Sequence, residues 1–295
     1  MNLTSRIVTF VTLLIVSTVS NAQQDPRCSF FWNNYMHTNP AMTGAIYKHH
    51  ANAQWRNQWT KINGAPTTLW LNYAMKLDSI NSGIGVSYEY DVVGLNRQHT
   101  ALVSYAYHIP IKKMFLSLGV SVGSSTLLFD KSGLVFTDPN DPSIPKSSQT
   151  FFRGDLGIAL HGERWNAGVS CTKLNGYFTR NSSSYDIAPH YWFFGDYAFP
   201  LGQNWKLTPR AQVGTDMLNI YSIVALTASW KNLWFGATAA NPFSNNGFEL
   251  GPMIGYDIVG KFRVGYTYEF GINNYPFNAI KNNATHEIIL SYQLK

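Results

Sequence analysis

Residues 261–270 read KFRVGYTYEF, and this stretch constrains the fold more than any other. Phe262, Val264, Tyr266, Tyr268 and Phe270 share one parity, and Lys261, Arg263, Gly265, Thr267 and Glu269 share the other. Successive side chains of a β-strand point to opposite faces, so the spacing predicts a strand with one apolar and one polar face. Tyrosine and phenylalanine crowd the end of the apolar face. That suits a surface meeting lipid, where aromatic rings sit at the water boundary. The same alternation recurs along the chain and predicts a transmembrane β-barrel.

Composition narrows the choice. Aromatic residues make up 15% of the chain and charged residues 13%, against roughly 25% charged in an average globular protein. A helical membrane protein would carry apolar runs of about 18 residues or more, and none follows the first 22 residues. Low charge, many aromatics and no long apolar run together predict an all-β fold, a transmembrane antiparallel outer-membrane β-barrel. A soluble all-β sandwich is the alternative reading of the same alternation.

The first residues read as a secretory signal. Arg6 supplies the positive region, residues 7–16 the apolar core, and Ser20-Asn21-Ala22 the small-residue cleavage site. The expected organisation is a signal peptide over 1–22, a non-strand N-terminal segment over 23–50 and a barrel over 51–295. The apolar run is too short for an anchor helix, and Asp25-Pro26-Arg27 before Cys28 is not an apolar lipobox. The net charge is +6, with basic residues scattered rather than blocked, so no nucleic-acid partner is expected. Cys28 and Cys171 could pair in an exporting compartment. Cys171 shares the parity of Trp165, Ala167 and Val169, which fits a small lipid-facing residue instead.

Alternating segments are predicted at 51–59, 67–75, 83–90, 100–108, 115–123, 152–161, 165–173, 190–199, 205–214, 221–230, 232–240, 247–256, 261–270 and 285–294, giving about 14 strands. Pro209 and Pro252 weaken two of them, because proline cannot donate to the ladder. Connections near 77–82, 110–113, 162–164, 200–203, 231 and 259–260 are short. The alternate ones at 91–98, 129–149, 175–189 and 271–284 are longer, while 62–65 and 215–219 stay short. Bacterial outer-membrane barrels have short periplasmic turns and longer outer loops. An even strand number then puts both termini in the periplasm of a gram-negative bacterium.

Closure adds a sharper expectation. An open sheet edge in lipid leaves backbone groups unsatisfied, so the first and last strands must pair. That sets residues 286–294 against 51–59, with Arg56 and Glu287 both in the lumen. Residues 25–45 do not alternate. Asn33, Asn34, His37 and Asn39 interrupt Phe30, Phe31, Trp32 and Tyr35, which need burial. This segment is expected in the periplasmic mouth or folded into the lumen.

Several stretches resemble the PorP/SprF family of outer-membrane proteins linked to type IX secretion and gliding motility. They are Asp25-Pro26, Asn39-Pro40-Ala41 with Gly44, Arg56-Asn57-Gln58-Trp59, and Asn63-Gly64-Ala65-Pro66-Thr67-Thr68. Gly83-Ile84-Gly85-Val86-Ser87, Asp138-Pro139-Asn140-Asp141-Pro142 and the closing His286-Glu287-Ile288-Ile289-Leu290-Ser291-Tyr292 also match. Cys28 departs from the polar residue expected there. The resemblance implies a barrel without catalysis or cofactor. Its implied partners are type IX secretion components, outer-membrane lipid and the C-terminal region of a secreted cargo or adhesin, which it receives and anchors at the cell surface.

No catalytic motif stands out. The eight histidines show no metal-ligand spacing. Asp138, Asn140 and Asp141 could offer oxygens to calcium, but the loop lacks the glycine and distal glutamate of an EF-hand. A Ser–His pair of a lipase could be hidden among the many serines and histidines. The inward parity carries Arg56, Glu89, Asp155, Asp196, Lys206, Arg210, Glu249, Asp257, Lys261, Arg263, Glu269 and Glu287. They read either as a brace across the lumen or as a docking surface. The candidate lumen and cargo contacts are Arg56, Lys206, Arg210, Arg263, Glu269 and Glu287, with Phe136, Tyr177, Phe178, Tyr275 and Phe277 in the long loops. A passive, porin-like solute channel is the alternative function.

Overall fold

The computed structural model describes residues 25–132, 134, 147–176, 187–241, 248–272 and 284–294. The signal-peptide reading, the calcium candidates and most of the long loops lie outside the described residues. The strands are β1 (His49–Asn57), β2 (Thr67–Leu77), β3 (Ser82–Val93), β4 (Asn96–Ile111), β5 (Met114–Phe129), β6 (Ser148–Gly162), β7 (Trp165–Thr172), β8 (His190–Tyr197), β9 (Phe199–Leu201), β10 (Trp205–Thr215), β11 (Ile220–Trp230), β12 (Leu233–Ala240), β13 (Phe248–Ile258), β14 (Phe262–Ile272) and β15 (Thr285–Leu294). Each pairs antiparallel with its neighbours, and β8 and β9 are two halves of one stave, so the sheet closes as a 14-strand barrel.

The barrel closes where alternation demands. β15 lies beside β1 in a continuous register that sets Arg56 opposite Glu287. The two faces separate cleanly: Leu290 is 56% exposed, and its neighbours Ile289 and Ser291 are 0% and 2%. Tyr266, Tyr268 and Phe270 of β14 lie on the outer face, and Gly265, Thr267 and Glu269 on the inner. Both prolines sit where a ladder is interrupted. Pro209 falls between the β8 and β9 pairings of β10, and Pro252 between the two paired runs of β13 with β14; the register is the same on both sides of each gap, as expected where a residue has no N–H to give to the ladder.

Five local expectations need correction. The 91–98 connection is not a long loop: β3 runs to Val93 and β4 starts at Asn96, leaving a Gly94-Leu95 hairpin with Gly94 at φ 59°. Val92-Val93 breaks the alternation there, which hid the strand. β5 likewise extends through Phe129. Trp59 is not a lipid-facing strand residue. Its φ of 52° ends the strand, and its ring N–H donates to Glu249 at 3.3 Å. Lys261 lies in the β13–β14 turn, exposed, rather than on the inner wall. β1 begins at His49, two residues before the expected boundary at 51.

The core of this barrel is the N-terminal segment itself. Helical turns at Phe31–Asn33, Tyr35–Thr38 and Pro40–Met42 fold residues 28–43 into the lumen. Phe30, Phe31, Asn39, Ala41 and Thr43 are at most 1% exposed. Proline opens the last turn, and the Asn39 side chain accepts from the Ala41 N–H at 2.9 Å, a normal cap for an N-terminal turn.

Candidate docking site: a filled lumen between two vestibules

Arg56 is the hub of the lumen. Inward parity on β1 places it beside Glu287 on β15, and its long side chain reaches Glu269 on β14. Its guanidinium donates to Glu287 at 2.7 Å, to Glu269 at 3.0 and 2.8 Å, and to the Ser29 hydroxyl at 3.0 Å. Arg27 pairs with Glu249 and lies 3.2 Å from Glu269. Two guanidiniums thus face three carboxylates, none of the wall members more than 3% exposed. The surplus negative charge is met by backbone. Ser29 N–H and Phe30 N–H donate to Glu287 at 3.0 and 2.9 Å, and Gln54 adds a side-chain bond at 2.6 Å. Charge-assisted bonds of this kind are the stronger ones inside a low-dielectric interior.

The far side of the segment rests on the opposite wall without charge. Asn39 donates to the carbonyls of Ile158 and Val169, both at 3.1 Å. Ser170 donates to Thr38 O at 2.5 Å, and Gln212 to the Thr38 hydroxyl at 3.1 Å. The close approach needs glycine on the wall. A Cβ on Gly119 would lie 2.2 Å from Ala41 N, and one on Gly157 would lie 2.0 Å from the Asn39 side-chain oxygen. Ser117 hydrogen-bonds with His108 at 2.7 Å and His161 at 2.9 Å, while His108 Nε2 meets Thr43 O at 3.1 Å. This buried Ser–His cluster ties the segment to β4, β5 and β6.

Between these anchorages, Tyr35 stacks on Phe194 at 4.3 Å and bonds through its hydroxyl to Asp196. His37 sits 3.2 Å from Glu89, and burial outweighs that carboxylate to hold the imidazole below its ordinary pKa. At the long-loop end Asp25 pairs with Lys173. Burial alone would raise the Asp25 carboxyl, but Lys173, His190 and Arg153 around it hold it well below the usual carboxylate range.

The segment leaves a vestibule at each end. One of about 750 Å³ opens toward the short turns and is lined by Trp32, Lys48, Lys206, Arg210 and Arg263 among others. The other, about 370 Å³, lies toward the long connections between Asp25, Trp59, Lys173 and Tyr221. The structure therefore divides the expected site residues. Arg56, Glu269 and Glu287 form one cluster bound to the N-terminal segment. Lys206, Arg210 and Arg263 line the separate short-turn vestibule, with Arg210 4.4 Å over the Trp32 ring and Arg263 bonded to Asp257 at 2.7 and 2.8 Å. Phe136, Tyr177, Phe178, Tyr275 and Phe277 lie outside the described residues. Both cysteines are free, Cys28 buried and Cys171 half-buried on the outer parity.

Sequence reasoning missed Arg27, Ser29, Gln54 and Asn39 as parts of the site. Asn39-Pro40-Ala41 was visible as a turn signal, but nothing local shows which wall it meets.

The sequence profile of the family described as type IX secretion system membrane protein PorP/SprF matches residues 20–292. No curated protein matches the chain. Among solved structures it is similar to the outer membrane protein Omp33 of Acinetobacter baumannii, at 13% identity over 85% of this chain and 100% of that one, with a TM-score of 0.50. It is also similar to a protein described as the CymD monoaromatic hydrocarbon channel, at 12% identity over 88% and 91% of the two chains, with a TM-score of 0.50. At these identities the likeness concerns the barrel fold alone.

Proposed function

This chain belongs to the PorP/SprF family of type IX secretion system membrane proteins, and on that premise we propose that it is a non-enzymatic outer-membrane barrel that receives a secreted protein and anchors it, by its C-terminal region, at the cell surface. The short turns and both chain ends face the periplasm in this reading, and the long connections face outward. Cargo meets the outer loops, where Phe136, Tyr177, Phe178, Tyr275 and Phe277 act as anchors, aromatics being favoured at the centre of protein interfaces.

The observation that supports this reading over a solute channel is the filled lumen. Residues 28–43 occupy the barrel and are bonded to the wall on both sides. A passive pore of this strand number needs its interior open to water. A barrel packed with its own chain offers its two ends as binding surfaces instead.

The test is a deletion of residues 271–284, the last long connection, in the producing cell. Loss of the surface protein with the barrel still folded, judged by heat-modifiable gel mobility, is the expected result. A folded barrel with its cargo fully attached removes that loop as the anchor. If deletion of the whole gene leaves every surface protein in place, and the purified barrel conducts small solutes in planar bilayers, the channel reading replaces this one.

A further inference from the structure

The short-turn vestibule is strongly basic. Its lining holds seven cationic side chains, Lys48, Lys76, Lys113, Arg164, Lys206, Arg210 and Arg263, against three acidic ones, Asp78, Glu163 and Asp196. Two of those acids are already engaged. Asp78 pairs with Lys76 at 2.9 Å, and Asp196 accepts from Asn166 at 3.1 Å and from the Tyr35 hydroxyl. Among the described residues no carboxylate lies within ion-pair distance of Lys48, Lys113, Arg164 or Arg210. Among the described residues Arg210 bonds to neutral oxygens alone, Thr208 O at 3.3 Å and the Thr227 hydroxyl at 2.5 Å, and it stacks on Trp32. A cleft lined by one sign of charge focuses its field and draws in the opposite sign.

We propose that this vestibule docks an acidic segment of a partner polypeptide, which enters from the short-turn end and stops at the Trp32–Arg210 floor. The charges come from the N-terminal segment, β2, the β4–β5 and β6–β7 turns, β10 and β14. They ring the wall instead of converging on one point, which suits an extended chain better than a single small anion. Lys206, Arg210 and Arg263 lie on the inward parity of their strands, away from the lipid headgroups that surround the outer face. The volume, about 750 Å³, lies within the ~300–1,000 Å³ of sites that enclose a ligand. The inference goes beyond the cargo reading, because it concerns the opposite end of the barrel and does not depend on what the long loops hold.

The experiment uses the full chain in nanodiscs of zwitterionic lipid and a short labelled peptide of Asp, Glu and Ser, with fluorescence anisotropy as the readout. Saturable binding is expected, weakening steadily as sodium chloride is raised. A Lys/Ser peptide of equal length should not bind. The triple variant Lys48→Glu, Lys113→Glu, Arg164→Glu changes only exposed side chains and should weaken binding at least about tenfold, ~1.4 kcal/mol, with heat-modifiable mobility unchanged. Equal binding of both peptides, or of the acidic peptide to wild type and variant, overturns the proposal. Should inorganic phosphate or anionic-lipid nanodiscs occupy the site as well as the peptide does, the ligand is a phosphate group and the polypeptide assignment falls.

Discussion

The luminal segment is held at its two sides by opposite chemistry. Around residues 27–30 the contact is ionic, with Arg27 and Arg56 against Glu249, Glu269 and Glu287. Around residues 38–43 it is neutral, made of amide, hydroxyl and imidazole bonds over wall glycines. Nearly all of both lies below a tenth of full exposure. Burying ions is unfavourable unless every charge is matched, so an ionic contact is sensitive to loss of one partner and less to small changes of shape. A neutral contact of close-packed backbone is sensitive to added volume and tolerates losing a single bond. The ionic side therefore fixes which way the segment is registered, and the neutral side fixes how closely it lies.

Removing the hub should show the largest effect. Arg56→Ala leaves Glu269 and Glu287 buried with too little positive charge, and a broken buried pair costs about 3–5 kcal/mol. The expected outcome is a barrel whose heat-modifiable transition falls by many degrees, or which fails to accumulate in the outer membrane. Replacing the three members together by similar-sized neutral residues, Arg56→Met with Glu269→Gln and Glu287→Gln, should recover much of that loss. Equal stability of Arg56→Ala and wild type would mean that the ionic contact does not hold the segment.

Glu287→Gln is the next step down. The amide keeps the shape and can still accept from Ser29 N–H and Phe30 N–H, but it loses the charge on those bonds. Hydrogen bonds to charged groups contribute about 1.5–3 kcal/mol, and a loss in the lower part of that range is expected. Limited proteolysis should cut the 25–45 segment faster than in wild type while the strands stay protected. Unchanged cutting would show that Glu287 serves the barrel seam rather than the segment.

The barrel was legible because its signal is periodic and local. Two-residue alternation marked the stave positions, and the need to close the sheet put Arg56 and Glu287 both in the lumen, where the structure sets them opposite each other. What escaped is what depends on three-dimensional contact. Arg27 meets Glu269 across 242 positions of sequence, and Ser29 meets Glu287 across 258, and no spacing rule spans such distances. The broken alternation at Val92-Val93 turned a strand end into an expected loop. Trp59 has the right parity for lipid, yet its backbone leaves the strand and its ring turns to Glu249. Asn39-Pro40-Ala41 reads as a turn in any protein. Only the bare backbone of Gly119 and Gly157 reveals why it fits here.

On the neutral side, volume is the expected weakness. Gly119→Val places branched carbon where Ala41 N now lies 2.2 Å from a Cβ position. Overpacking of this kind costs about 1–3 kcal/mol. Because the clash is with the segment and not with a neighbouring strand, the loss should appear as faster proteolysis of 25–45 and a smaller change in the barrel transition. The reverse order, a collapsed barrel with a protected segment, would break the distinction between the two sides.

The smallest effect is expected at Asn39, and it sharpens the contrast most. Asn39→Ala removes two bonds to the carbonyls of Ile158 and Val169 and the cap on Ala41 N–H. Those carbonyls lie on strands that keep their ladder partners, so the net loss should be about 1 kcal/mol, typical of a neutral bond or cap. Asn39→Asp keeps the capping oxygen but turns a donor toward two carbonyls into a second acceptor and buries a charge with no cation beside it. It should therefore be worse than alanine, although it is the closer match in shape. At Glu287 the same exchange run backwards, acid to amide, is also expected to be harmful. Proteolysis rates of the segment in Asn39→Ala, Asn39→Asp and Glu287→Gln, measured side by side, decide the matter. If Asn39→Asp is milder than Asn39→Ala, the far wall accepts charge, and the division into an ionic and a neutral anchorage is wrong.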